Sequence, residues 1–365
     1  MQNAEGRSKN NGQGDKDKGP GSERGQSGRS DSDFPVFHLG LALSFVLTTL
    51  SLVFLFAFQG CDRGIIPAIG RLREITVVTD HWPLVESKVR SILQAEVLTP
   101  QPEPEFLVRQ VGTSRFDAYT RLRTVFLVGL VSDTVLATVL GPRVDSLSEG
   151  DFGLFRVPNA WSQNQQLVVF AARSESSLTA GLDAYSARIR QTFRQVVLEH
   201  VSRAVYRAGI DKDKSQQMAD TYSFSLDVPK RWYLNQDHAD SGFVFVFGHY
   251  PDRNVFVFWS AGERPLLPDA MAGLRDSLAR RYYDGDRIER ASLQADTIEF
   301  LGGACLRLSG VWQNDKEVMG GPFVTYCFNN QGRLFMIDGL VYDPGKKKLD
   351  ALLQAEVIVR SFVPR

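Results

Sequence analysis

The sequence predicts an α+β protein in two antiparallel-sheet-plus-helix halves, preceded by a polar tail and one apolar helix. Three observations lead there. From residue 74 onward, short β-branched and aromatic runs alternate with amphipathic stretches. Gly209 and the polar stretch DKDKSQQ divide these runs into two sets. The 365 residues suffice for about two domains of ~100–200 residues, and a hydrophobic content of 43% supplies their cores.

The N-terminus is an address. Residues 1–33 hold seven glycines, six basic and six acidic residues, and only Met1 and Ala4 are hydrophobic. Such a stretch buries too little to offset its ordering entropy, so a disordered tail is expected. Residues 39–58 then carry no charge in 20 positions. As a helix they span roughly 30 Å, the thickness of a bilayer core. Residues 34–60 are read as a lipoprotein signal, with Cys61 as the lipidated first residue after Gly60. An uncleaved anchor is the alternative, because the apolar region of a signal peptide is usually only ~7–15 residues. Both readings place the folded part outside the cytoplasm, tethered to a membrane. Residues 61–73 are a linker.

The first half (74–209) opens with a strand over 75–78 and a helix carrying Val85, Val89 and Ile92. Residues 99–105 form a proline-punctuated loop. Strands are expected over 124–129 and 135–140 around the turn Ser132-Asp133-Thr134, and again over 167–171, followed by one helix over 178–208. The second half (221–365) opens with a strand over 222–228. A meander of 243–247 and 255–259 follows, with a turn at 250–254. A helix starts at Pro268, strands lie over 303–312, 322–328 and 333–341, and a last helix covers 349–360. Helices are expected on one face of each sheet. The triplets Leu182-Asp183-Ala184 and Leu349-Asp350-Ala351 give a faint internal echo.

Composition excludes several function classes. Forty-two basic residues balance 42 acidic ones, so the basic face that nucleic-acid binding needs is not expected. Three cysteines rule out a disulfide-dense scaffold or a cysteine-rich zinc module. No G-x-S-x-G elbow occurs, no folded-part serine has lysine three positions on, and no H-E-x-x-H occurs. The five histidines are scattered, so neither metal nor cofactor is implied. In Asp80-His81-Trp82 a carboxylate adjoins a histidine, but neighbours on an extended chain point to opposite sides. His200 sits on the apolar stripe of its helix and is expected to be a satisfied, partly buried histidine.

The segment from Gly310 to Tyr326 is the most specific in the chain. Trp312 and Phe323 bracket a polar tip with Met319, and Gly320-Gly321 precede Pro322. These residues are a candidate binding lip; the competing reading is a glycine bulge that bends one strand over the core. The same hairpin brings Cys305 opposite, or one residue from opposite, Cys327. Two unbonded core-lining thiols are the preferred reading and a cross-strand disulfide the alternative.

The stretch from YSFSLDVPKRW to VIVRSF resembles the fold shared by PsbP-type and Mog-one-like proteins. The pieces VVTDHW, VPNAWSQNQQLVV, LARRYY and above all GVWQNDKEVMGGPFVTY and GLVYDPGKKKLD resemble the domain of unknown function 4837 family over about residues 70–362. That resemblance implies an envelope lipoprotein of Gram-negative type with no assigned catalytic residue. The favoured expectation is a non-enzymatic, membrane-tethered protein that binds an envelope protein or small ligand. The alternative is an envelope hydrolase or transferase acting on lipid or cell-wall material.

Overall fold

The computed structural model describes residues 66–147, 151–283, 285–314 and 316–365. The polar tail, the apolar run and Cys61 lie outside them. Among the described residues no helix is long and apolar enough to cross a membrane. Helix and strand are mixed throughout, as the α+β class requires.

The N-terminal sheet contains β1 (Glu74–Val78), β2 (Leu107–Val111), β3 (Thr124–Leu130), β4 (Phe152–Pro158) and β5 (Gln166–Ala172), in the order β2-β1-β3-β5-β4. β1 pairs in parallel with β2 and β3, and β3 with β5; β4 runs antiparallel to β5. The expected antiparallel first half is therefore corrected to a mainly parallel sheet. The reason lies in TVFLVGL and QLVVFAA, which are buried on both faces. Phe126 and Val128 join the core with Val85 and Val89 of α1 (Trp82–Leu93), while Val125 and Leu127 pack with Leu136 and Leu140. A strand buried on both faces needs helices on both, and parallel crossovers supply them.

Leu136 and Leu140 belong to α2 (Thr134–Leu140), where the sequence predicted a strand. The β-branched content of TVLATVL misleads; the i, i+4 leucines facing the sheet decide. The predicted helix over 178–208 divides at Tyr185 into α3 (Glu175–Ala184) and α4 (Ser186–Val205). Ser174 caps α3 by accepting a hydrogen bond from the Ser177 N–H.

Beyond Gly209, the polar stretch forms α5 (Lys212–Tyr222), capped by Asp211. The C-terminal sheet has eight antiparallel strands: β6 (Tyr233–Asn235), β7 (Phe243–Gly248), β8 (Asp252–Ala261), β9 (Asp286–Ile288), β10 (Gln294–Phe300), β11 (Gly303–Asn314), β12 (Gly320–Asn330) and β13 (Arg333–Tyr342). The order is β9-β11-β12-β13-β8-β7-β6, with β10 beside β9 on the outer edge of β11. β10 escaped the sequence reading because its residues QADTIEF are mostly exposed and polar.

Helices cover both faces of this sheet, not one. Val324, Tyr326 and Phe328 share a core with α7 (Leu349–Val359), while Phe323 and Cys327 share one with α6 (Pro268–Tyr282). Eight consecutive buried residues in β12 leave no solvent-facing side. A single apolar cluster runs from β1, β3 and β5 through Phe193 and Val197 of α4 to α7 and β12–β13. The two Leu-Asp-Ala triplets fall at opposite helix ends, one closing α3 and the other opening α7.

Candidate functional site

Helix α4 crosses in front of α7, and the outer edge of β10–β11 faces it. A cavity of about 1180 Å³ opens there. Its apolar lining includes Val97, Phe106, Ile298, Leu349, Leu352 and Leu353. Arg190 and Arg194 lie one turn apart on α4 and project from one helix face. Arg307 of β11 and Glu356 of α7 complete the charged side.

Four elements tie these charges together. Arg194 donates from Nη2 to both oxygens of Glu356 at 3.0 Å and from Nη1 to Glu105 at 3.0 Å. Arg190 Nε donates to the other Glu105 oxygen at 2.5 Å. Tyr326 donates its hydroxyl to Glu356 at 3.0 Å, and Arg360 donates to that hydroxyl at 3.1 Å. Burial pushes the Glu356 carboxyl up, but Arg194, Arg307 and Arg360 outweigh it and hold the group down at about 2. The same contact raises Arg194 above the ordinary arginine value, against the opposing effect of its own burial.

Arg307 is the least satisfied cation of the group. Its Nε lies 3.6 Å from Glu356 and makes no hydrogen bond among the described residues, and its Nη1 stands 3.6 Å from Asp296 and 3.4 Å from Ser309 Oγ. A guanidinium on a cavity wall without a bidentate carboxylate partner is suited to a carboxylate or phosphate. Sequence reasoning missed this site. The signal was Glu356, a lone carboxylate in the apolar helix LDALLQAEVIV.

The structure divides the candidate lip residues: Phe323 is among the residues lining the large cavity, whereas Trp312 and Met319 are not. Trp312 is only 2% exposed and donates Nε1–H to the Val341 carbonyl at 3.2 Å. Phe323 is buried, with the Arg275 guanidinium 3.9 Å from its ring centroid. Met319 is half-buried. Gly320 and Gly321 have no positive φ, yet both need to be glycine. A Cβ on Gly321 would stand 1.8 Å from the Val341 oxygen, and one on Gly320 2.8 Å from the Trp312 oxygen. Trp312 and Met319 line a second cavity, of about 310 Å³.

Cys305 and Cys327 are unbonded and buried. The register pairs Leu306 with Cys327, so Cys305 is one residue out and faces the α7 side while Cys327 faces the α6 side. Burial pushes the Cys305 thiol up to about 12 and Cys327 well above its ordinary value.

His81 does not pair with its neighbour. Asp80 accepts hydrogen bonds from Thr113, whereas His81 Nε2 meets Asp133 Oδ2 at 3.0 Å and Nδ1 lies 4.0 Å from Glu175. These residues follow β1, β3 and β5, at the carboxyl ends of parallel strands. Strand order reverses between β1 and β3, the place where open α/β sheets commonly bind ligands. His200 is fully buried rather than partly so, and its Nε2 has no hydrogen-bond partner among the described residues.

Residues 211–361 match the family described as Domain of unknown function (DUF4837). The C-terminal half carries the similarity to DUF4837. The resemblance read over 70–362 is narrower than the motifs implied, because residues 68–206, with VVTDHW and VPNAWSQNQQLVV, match Domain of unknown function (DUF8532). The two matches meet at the Gly209 punctuation. LARRYY, the tryptophan-to-MGGPF stretch and GLVYDPGKKKLD all lie in the DUF4837 half. No curated protein matches the chain.

Among solved structures, the chain is similar to CyanoP, the PsbP protein of Synechocystis, at 14% identity over 39% of this chain and 87% of that one, with a TM-score of 0.30. A Bacteroides thetaiotaomicron protein matches at 13% identity over 39% and 45%, TM-score 0.25. LpqN of Mycobacterium tuberculosis, described as involved in cell envelope biogenesis, matches at 12% identity over 39% and 83%, TM-score 0.26.

Proposed function

We propose that this protein is a membrane-tethered envelope lipoprotein that binds an anionic amphiphile between α4 and the β10–β11 edge. One observation carries the reading: guanidiniums of Arg190, Arg194 and Arg307 stand over an apolar floor in a cavity of about 1180 Å³. The apolar floor suits an acyl chain, and Arg307, whose Nη1 is held only by a 3.4 Å bond to Ser309 and a 3.6 Å approach to Asp296, suits the head. The apolar run at 39–58 and Cys61 supply the tether.

Full-length protein is titrated with a fluorescent long-chain fatty acid and with its methyl ester. The acid is expected to bind at least tenfold more tightly, and Arg307→Gln to weaken it by about 10- to 150-fold, as a charge-assisted hydrogen bond of ~1.5–3 kcal/mol implies. Equal binding of acid and ester, or no binding, overturns the reading. Labelled fatty acid fed to cells tests the tether: label that persists in Cys61→Ala excludes lipidation there.

A second reading, an envelope hydrolase or transferase, draws on the His81–Asp133 pair at the carboxyl ends of β1 and β3. A carboxylate that orients an imidazole is one element of general-base chemistry. Loss of an envelope-lipid or cell-wall hydrolysis activity in His81→Gln would favour it over simple binding.

A further inference from the structure

The second cavity, about 310 Å³ at the end of the C-terminal sheet, differs in chemistry from the cleft. Its walls carry four aromatic rings, Phe247, Tyr283, Trp312 and Tyr342, and two carboxylates, Asp252 and Asp286. No lysine or arginine is among the described residues that line it. The rings are held by their surroundings. Trp312 is fixed by its bond to the Val341 carbonyl and sits 6.3 Å from Tyr342 at an interplanar angle of 52°. Phe247 stacks on Tyr233 at 5.2 Å. Asp252 accepts from His249 Nδ1 at 2.7 Å, and the buried Asp286 accepts from Asn314 at 2.7 Å.

The Tyr283 hydroxyl is buried and closed off from the cavity, so this residue offers its ring and not a hydrogen bond. Aromatic faces present negative charge density, and carboxylates add to it. A neutral or anionic occupant would gain nothing from that field.

We propose that this cavity binds a small organic cation, a quaternary or substituted ammonium, within the rings of Phe247, Tyr283, Trp312 and Tyr342 and opposite Asp252 and Asp286. The site is separate from the amphiphile cleft and does not depend on it. It gives the Trp312–Met319 lip a ligand class, with Met319 at the cavity wall as an adaptable apolar contact.

The test uses full-length protein, with tetramethylammonium and choline as cations and 3,3-dimethylbutan-1-ol as the uncharged isostere of choline, titrated calorimetrically. Choline is expected to bind at least tenfold more tightly than the isostere. Phe247→Leu and Tyr342→Leu should each weaken choline by ~3–30-fold, the range a desolvated cation–π contact implies, while Tyr342→Phe retains wild-type affinity. Both wild-type positions are half-buried, and thermal melts run on each variant confirm folding. Asp286→Asn should weaken choline and leave the isostere unchanged. Equal affinity for choline and the isostere overturns the proposal, as does no binding of any probe at millimolar concentration. Cation binding that survives both leucine variants places the site elsewhere and overturns it too.

Discussion

Arg275–Asp338 and Arg194–Glu356 put the same kind of charge pair into two different surroundings. The first lies between α6 and the sheet with both side chains at 0% exposure, and Arg275 meets Asp338 through Nε at 2.6 Å and Nη2 at 3.0 Å. Thr325 donates a further hydrogen bond to Asp338, and Phe323 covers the guanidinium. The second pair borders the cleft, with Arg194 31% exposed and Glu356 2%. An enclosed pair can only hold elements together, whereas a pair that borders open space can exchange partners with a ligand. Position relative to a cavity, more than the pair itself, separates scaffold from site.

The largest expected effect follows from enclosure. Asp338→Asn strands the Arg275 charge in the core, where its Nη1 already lacks a hydrogen-bond partner among the described residues. Breaking a buried pair by removing one partner costs about 3–5 kcal/mol. The urea midpoint should fall accordingly. Replacing both partners, Arg275→Met with Asp338→Leu, should recover most of the loss, because no charge is then left unpaired. A double variant no more stable than Asp338→Asn would break the argument.

Glu356→Gln should cost less, about 1–3 kcal/mol, because solvent reaches Arg194 and Glu105 still holds it. The pH dependence has a definite sign. The folded carboxyl is held down at about 2 against an unfolded value near ~4.3. Its stabilisation is therefore fully present above ~4.3 and is lost as pH falls towards the folded value. Stability measured between pH 5 and pH 3 should fall less steeply in Glu356→Gln than in the parent.

The two halves were not equally legible in the sequence. In the C-terminal half, β11, β12, β13 and α7 lie within a few residues of where alternation and turn residues placed them, because antiparallel hairpins are local. In the N-terminal half the parallel pairing of β1 with β3 joins segments some 50 residues apart and leaves no hairpin signature. The β-branched α2 was read as a strand for the same reason: its sheet contacts are tertiary. Trp312 and Gly321 were visible as special positions, but the cavity beside them was not, since Phe247, Tyr283 and Tyr342 come from three separate elements. Likewise His81 was noticed beside Asp80, while its true partner, Asp133, is supplied by the loop after β3.

His200 extends the comparison to a buried group with no opposite charge. Burial, together with Arg123, Arg203 and Arg156 nearby, holds its imidazole down at about 3, and its Nε2 has no hydrogen-bond partner among the described residues. The folded state therefore keeps it neutral, while the unfolded chain takes up a proton near pH ~6.5. Stability contributed by this group is intact above that value and is lost as pH falls below it. Between pH 7 and pH 5 the loss amounts to ~2 kcal/mol, from 1.36 kcal/mol per pH step below the unfolded value. His200→Gln should remove this slope; denaturant midpoints that fall equally in parent and variant would contradict it.

At the exposed end of the series stands Glu86 with Arg90, four residues apart on α1, both 44% exposed and joined at 2.8 Å. Water screens this pair, and Arg90 has other holds: it donates to Gln94 at 2.8 Å, and its guanidinium lies 5.3 Å from the Trp82 ring centroid. Removing the carboxylate therefore leaves no stranded charge. Glu86→Gln should change stability by about 0.3–0.5 kcal/mol, the usual worth of an exposed i, i+4 pair. The difference should vanish at about 1 M salt, where the screening length shrinks to ~3 Å. Urea midpoints at low and high salt read both quantities. A cost above about 1 kcal/mol, outside the range for exposed pairs, would break the ranking by enclosure, since Glu86 would then rival Glu356 without being buried.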